Sequence, residues 1–544
     1  MPRRPSRRAL LLAVLPASLQ AQALPDSVQA TIDRLFARYG TDSPGCLVGV
    51  ERAGQVVLAK GYGMANLEYG VPLTRQSISE SGSVAKQFTA AAVVLLHLDG
   101  KLALDDDIRR YLPEVPDFGA PITIRQLLSH TSGLRDQWAL LALMGRGPGT
   151  AVHTNAQVLD LVRRQRALNF APGSDYLYSN TGYVLAATIV SRVSGVPFAQ
   201  FTAERLFRPL GMRHTQWRDD YRRVVPGRAT AYARAGGAWV QDMPFTMVHG
   251  NGGLLSTLDD LLAWNRALTD GFPGYPAMTR LLETVTPLAS GEPTSYALGL
   301  MVAPWNATTR EVSHSGATAG YRTWLARFPE ARASVAVWCN AANADPVRMG
   351  REVAALVVPR DVAVRPAPVP LDAATRAQLA GTWRDPRTEA SLRIESAGDY
   401  LRLAGAGGDS LLPDGGPGRL RSTGGVRLAI EAAGTLVVTT DEGVAARMTR
   451  TAPVAPARLD DFVGRYAYPE LGYAFEVRRD GDRLLGRVSP DLESPLVPYY
   501  ADGFRLDVGP ADAVLRFTRD ARGRVTGGAA WAGRALQVRF ARVP

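Results

Sequence analysis

Ser83-Val84-Ala85-Lys86 sets a hydroxyl three residues ahead of an amine. At the start of a helix, residues three apart share a face, so the two groups would lie side by side. Unpaired backbone N–H groups at such a start can receive the oxyanion that forms when a serine attacks a carbonyl. Burial and positive potential there would lower the lysine pKa and make it a proton acceptor for the hydroxyl. The chain uses lysine sparingly: of 62 basic residues only Lys60, Lys86 and Lys101 are lysines. All the others are arginine, which cannot give up its proton at any workable pH. Taken alone, the four residues would serve equally well as a helix cap.

Two further triplets carry matching chemistry. Tyr178-Ser179-Asn180 follows Pro172-Gly173 and precedes an apolar helical stretch. A loop placed there presents a phenol that can relay a proton and an amide that can hold a substrate carbonyl. His314-Ser315-Gly316 lies in a strand-like run and leads into Ala317-Thr318-Ala319-Gly320. Small residues on an edge strand let a substrate backbone pair closely, and a histidine there supplies a donor that is partly charged near neutrality. Alone, each triplet reads as an ordinary turn or a structural histidine.

These groups need elements to hold them. Apolar periodicity predicts a helix from Val84 to Leu98, another opening at Ser256-Thr257-Leu258-Asp259, and a third after Asp345-Pro346. Strands are expected at 46–52, 56–63, 296–303, 320–328 and 334–340.

The three motifs run in the order S-x-x-K, Y-x-N, H-x-G, with 95 residues from Ser83 to Tyr178 and 136 from there to His314. This arrangement resembles the penicillin-recognising serine hydrolases: class C β-lactamases, DD-peptidases, D-aminopeptidases and family VIII esterases. The resemblance covers roughly residues 28–357 and includes the stretches Leu128-Ser129-His130-Thr131-Ser132-Gly133-Leu134 and Gly252-Gly253-Leu254-Leu255-Ser256-Thr257. It implies an α/β (α+β) β-lactamase-like catalytic domain, an antiparallel sheet flanked by helices. Ser83 would be the acylated nucleophile, Lys86 its proton acceptor and Tyr178 the second acid/base group. Asn180, His314, Ser315 and Gly316 would bind substrate, and the backbone N–H groups of Ser83 and Ala317 would form the oxyanion hole. No cofactor or metal is implied.

The implied reaction is hydrolysis of a small peptide, peptide-like amide or ester through an acyl-enzyme, as in D-aminopeptidases or DD-peptidases. A carboxylesterase of the family VIII type is the alternative. A weak β-lactamase is another, because efficient relatives usually carry Lys-Thr-Gly where this chain has His314-Ser315-Gly316. A catalytically dead binder of cell-wall fragments is the reading from another class; Ser83, Lys86 and Tyr178, which such copies tend to lose, are all present.

Length and composition bound the rest. The chain has 544 residues, 46% hydrophobic and 21% charged, which is ordinary globular composition and predicts more than one domain. A net charge of +11 falls to +7 without Arg3, Arg4, Arg7 and Arg8, and the other arginines are interleaved with acids, so nucleic acid is not an expected partner. Those four arginines, the run Ala9-Leu10-Leu11-Leu12-Ala13-Val14-Leu15 and Ala21-Gln22-Ala23 read as an export signal over 1–23, with a periplasmic or secreted product and no stable membrane insertion. Cys46 and Cys339 each adjoin an apolar strand; buried free thiols are the first expectation, with a single bridge left open.

A catalytic domain over 24–357 is expected to end in a linker at 358–372, with prolines at 359, 366, 368 and 370. Beyond it the chain repeats. Leu379-Ala380-Gly381-Thr382-Trp383 matches Phe462-Val463-Gly464-Arg465-Tyr466 at an offset of 83 residues, and Gly398-Asp399 matches Gly481-Asp482 at the same offset. Two all-β, barrel-like repeats are predicted, 373–455 and 456–544. The layout is similar to that of D-aminopeptidases, which implies that the modules pack on the catalytic domain. Asp105-Asp106-Asp107 reads as a solvated turn rather than a metal site, and Gly408-Asp409-Ser410-Leu411 as an accidental esterase-like string.

Overall fold

The apolar runs beside the two cysteines become the centre of a sheet. In the computed structural model, β1 (Cys46–Arg52) and β2 (Gln55–Tyr62) join β3 (Met301–Pro304), β4 (Arg310–Thr318), β5 (Tyr321–Phe328) and β6 (Ala333–Cys339) in the order β3-β4-β5-β6-β1-β2, antiparallel throughout. The structure describes residues 23–360 and 371–544, apart from 405–409, 415–417, 423–425, 432–433, 440–444, 455, 457 and 510–511. Nearly all of the expected export signal, most of the expected linker and half of Gly408-Asp409-Ser410-Leu411 therefore lie outside the described residues.

Successive strand residues point to opposite faces, and both faces are covered. Val48, Val50, Val335 and Val337 pack with α1 (Asp26–Phe36) and the helix after Asp345 on one side. Leu47, Ala336 and Trp338 face the larger core on the other. At its centre is α2 (Lys86–Leu98), every residue of which from Lys86 to Leu96 is buried. A helix that is apolar on all sides is a core helix, so a lysine at its first position must lose its water. α3 (Gln137–Ala142) and α4 (Asn155–Arg163) pack on α5 (Asn180–Ser194), which borders α2 together with α6 (Leu258–Asp270); across the sheet lies α7 (Pro346–Val357). Thr257 and Asp345 cap α6 and α7 through the N–H groups of Asp260 and Arg348, as their sequence signals predict.

Two expectations change. The strand predicted at 296–303 begins only at Met301. Gly299 takes a φ of +77° and lies so close to the start of α2 that a Cβ would come within 2.9 Å of the Gln87 backbone, so the chain turns before it can extend. Cys46 and Cys339 are not free thiols: they are opposite each other in the β1–β6 register and form a disulfide.

Both C-terminal repeats are closed eight-stranded antiparallel barrels of up-and-down order. The first runs from β7 (Gly381–Arg384) to β14 (Ala445–Thr451), the second from β15 (Gly464–Tyr468) to β22 (Ala535–Val543), with β21 at Val525–Ala532. The 83-residue offset reappears in the bonding. Trp383 Nε1 donates to Leu379 O at 2.8 Å, and Tyr466 Oη donates to Phe462 O at 2.7 Å. Both barrels touch the catalytic domain. Arg387 of the first pairs with Asp175. The second shares one core with α3 and α4 through Leu140, Leu141, Leu143, Met144 and Leu161.

Candidate active site

A single 3-10 turn, Gly82–Ala85, leads directly into α2, and Ser83 lies in that turn. Lys86 Nζ donates to Ser83 Oγ at 3.0 Å, to Asn180 Oδ1 at 2.8 Å and to Asn251 O at 2.6 Å. Asn180, the first residue of α5, is itself held by Asp136, whose Oδ2 accepts from its backbone N–H and its Nδ2 at 2.7 and 2.8 Å. A carboxylate can only accept, so the amide's NH2 must face Asp136 and its oxygen must face Lys86.

This geometry directs the amine. The oxygens of Asn180 and Asn251 only accept, whereas a serine hydroxyl can donate. A neutral Lys86 therefore keeps N–H bonds to the two carbonyls and turns its lone pair to Ser83. Complete burial holds the ammonium well below the usual lysine pKa; the Arg534 guanidinium adds to that depression and the Asp136 carboxylate opposes it.

Tyr178 sits in the loop before α5 and lines the cleft. Its ring centroid is 4.8 Å from Lys86 Nζ and 4.0 Å from the His130 ring. His130, within the Leu128–Leu134 stretch, takes a φ of +61° and accepts from the Ser179 N–H at 3.0 Å, so it supports the Tyr178 loop from behind. The Gly252–Thr257 stretch supports the nucleophile in a comparable way: Leu254–Ser256 pairs with Ser79–Glu80, immediately before the turn.

His314, Ser315 and Gly316 lie on β4 beyond Ser313, where β3 stops pairing and leaves that edge open to the cleft. Gly316 lets strand and turn meet, since a Cβ there would lie 2.0 Å from Ser81 O and 2.9 Å from Ser83 N. Gly82 does the same from the other side, 2.6 Å from Ala317 N and with a φ of +51°. The backbone N–H groups of Ser83 and Ala317 are thus brought to the same junction.

His314 differs from the expectation of partial charge. Burial, with Lys86 adding to it, pushes its pKa down to about 3. Nδ1 is 2.5 Å from Ser315 O, so it carries the proton, and Nε2 accepts from Tyr296 Oη at 2.8 Å. It is a neutral imidazole.

All eight expected residues border one cleft of about 780 Å³ or its floor. Asp136, Asn251, Tyr296 and Arg534 join them without having been singled out from sequence. Asp136 had a readable signal, an acid before a helix, and its Oδ1 does cap α3 through Trp138 N at 2.9 Å. Arg534 had none.

The Beta-lactamase family model matches residues 32–358, which include every residue of this site except Arg534. The chain belongs to the Beta-lactamase family. It is a serine hydrolase of the β-lactamase and penicillin-binding type. Similarity to other members of the family extends past the catalytic domain: a D-aminopeptidase of Brucella melitensis is 30% identical over 504 residues, 89% of this chain and 93% of that protein. The fold of a penicillin-binding protein homologue from Pyrococcus abyssi matches 78% of this chain and 99% of its own with a TM-score of 0.57, at 23% identity. D-amino acid amidase from Ochrobactrum anthropi matches 61% and 96% with a TM-score of 0.51, at 24% identity. Among the described residues, no group of three or more His, Cys, Asp or Glu side chains could hold a metal ion. No single helix among them is long and apolar enough to cross a membrane.

Proposed function

We propose that the protein is an exported amidase or peptidase of the D-aminopeptidase or DD-peptidase kind, working through an acyl-enzyme on Ser83. The observation that carries this is the Lys86 Nζ contact to Ser83 Oγ at 3.0 Å, with the other two acceptors on Nζ unable to donate. Neutral Lys86 takes the hydroxyl proton as Ser83 Oγ bonds to the substrate carbonyl carbon. The N–H groups of Ser83 and Ala317 receive the developing oxyanion. Tyr178 gives its phenol proton to the departing amine and is reprotonated by the Lys86 ammonium as the tetrahedral adduct collapses to the ester; water, activated by the Lys86 amine so regenerated, then repeats the sequence to release the acid. Asn180 acts chiefly by orienting Lys86, because both ends of its amide are occupied by protein. Similarity to D-aminopeptidase over nearly the whole chain favours a D-configured amide. The disulfide favours an oxidising compartment, in keeping with export.

A carboxylesterase is the second reading, favoured by the neutral His314, which offers no fixed charge to a substrate carboxylate on β4. The same feature argues against strong β-lactam hydrolysis. An inactive binder is disfavoured by the intact contact between Lys86 and Ser83. Intact-mass measurement with a fluorophosphonate, together with turnover of D-alanine p-nitroanilide, its N-acetyl counterpart, the L-isomers of both and p-nitrophenyl acetate, tests the proposal. The expected result is one adduct, absent in Ser83→Ala, with the D-anilide turned over faster than the L. Labelling that persists in Ser83→Ala removes the nucleophile assignment; equal D and L rates with a dominant ester rate favour the esterase.

A further inference from the structure

The second barrel supplies part of the cleft wall. Its last hairpin turns at Gly533-Arg534, between β21 and β22, with Ala532 opposite Ala535. Gly533 has a φ of +54° while Arg534 does not take a positive φ, the pattern of a two-residue hairpin that needs glycine first. The turn is anchored at its base. Arg534 O accepts from Asp136 N at 3.2 Å and from Asn169 Nδ2 at 2.9 Å, and Leu536 N donates to Asn169 Oδ1 at 2.8 Å. Arg135, almost fully buried, donates to Leu536 O and Gln537 O at 3.1 Å each and pairs with Glu470. The Arg534 guanidinium itself lines the cleft, with Cζ 4.6 Å from the centroid of the Tyr178 ring.

The charges lining the cleft do not cancel. Arg218 is held by Glu80 in a bidentate pair at 2.8 and 2.9 Å, and Arg322 turns Nη1 to the backbone carbonyls of Ala319 and Tyr321 at 2.6 and 2.8 Å. Arg534 has no carboxylate partner among the described residues. With His314 neutral, the positive charge next to Tyr178 comes from the barrel and not from β4.

Building on the amidase reading, we propose that Arg534 is a specificity residue that recognises a carboxylate on the substrate, so that within that reading the enzyme favours anionic substrates of the DD-peptidase kind over the free-amine substrates of an aminopeptidase. An exposed guanidinium stacked on an aromatic ring keeps its N–H edge available for bidentate pairing with a carboxylate, and it repels an ammonium. The carboxylate can belong to the acyl side or to the leaving group, since Tyr178, which Arg534 covers, adjoins both.

Steady-state kcat/KM on matched substrates tests this. On the acyl side, N-succinyl-D-alanine p-nitroanilide is compared with its N-acetyl and free-amine counterparts; on the leaving-group side, N-acetyl-D-alanyl-D-alanine is compared with its C-terminal amide. In at least one arm the anionic substrate is expected to be favoured by about tenfold or more over the neutral one. That ratio should fall towards one in Arg534→Ala, recover in part in Arg534→Lys and drop below one in Arg534→Glu. Ratios near one in both arms, a ratio that survives Arg534→Ala, or a preference for the free amine overturns the assignment. Charge-blind turnover of the neutral substrates would remove this inference and leave the amidase reading intact. No turnover of any substrate and no Ser83 adduct would remove both.

Discussion

At Lys86 the proton count sets the rate. The amine must be neutral to accept the serine proton, so kcat/KM on a neutral substrate should rise with pH through a pKa below the ordinary lysine value. The groups facing Nζ are Ser83, Asn180, the Asn251 carbonyl, Tyr178, Tyr183, the Asp136 carboxylate and the Arg534 guanidinium, with His130 and His314 near them. Arg534 disfavours the ammonium, so Arg534→Ala should move the acid limb to higher pH; an unmoved or lowered midpoint contradicts the coupling. Lys86→Arg retains positive charge but cannot act as a base, and should cost about 10²–10⁴-fold in kcat/KM while the fold is kept. Near-normal turnover would mean that another group takes the proton. His314, with a pKa of about 3, is neutral throughout the range in which ordinary histidines titrate. A step in kcat/KM between pH 5 and 8 that disappears in His314→Asn would refute this.

At the scale of elements, function depends on how closely a turn and a strand approach. Gly316→Ala places a methyl 2.0 Å from Ser81 O, and backbone cannot yield as a flexible side chain would. The strand and the nucleophile turn must separate. Turnover should fall by about 100-fold or more, as when an oxyanion donor is lost, with the circular dichroism spectrum preserved; activity within a fewfold of native would show that the junction is not the oxyanion site. The disulfide joins β1 and β6, which are already paired, and closes 293 residues. Its reduction should expose two thiols to a thiol reagent only after the reductant is added, and should cost about 2–5 kcal/mol in denaturant titrations.

At the scale of the whole molecule, the second barrel acts as a structural part of the active site. A continuous path runs from its hairpin through Arg135 and Asp136 to Asn180 and Lys86. Glu470→Ala leaves Arg135 buried without its counter-charge, a change that typically costs about 3–5 kcal/mol. Equilibrium unfolding should report that loss together with reduced turnover, since Arg135 also holds the hairpin that carries Arg534. Unchanged stability and kinetics would mean that the barrel docks independently of this pair. Glu470 is 335 residues from Arg135 in the chain, so the pairing exists only once both domains have folded.

Several features were legible in the residues alone because they are local. Ser83 and Lys86 lie one helical turn apart, Thr257 and Asp345 precede the helices they cap, and the two barrels repeat with matching turns at one offset. The order of the three motifs identified the family because each keeps its own short signature. Everything that depended on meeting across the chain was decided by the tertiary structure. Burial made His314 neutral although its type predicts partial charge, the register of β1 and β6 joined two cysteines whose pairing the residues alone left open, and Gly299 shortened a predicted strand against α2. Arg534, one arginine among many in sequence, acquires its place only because a barrel hairpin is anchored over Tyr178. Periodicity and capping are written within a few residues, whereas desolvation and the pairing of charges are properties of neighbours that the fold alone brings together.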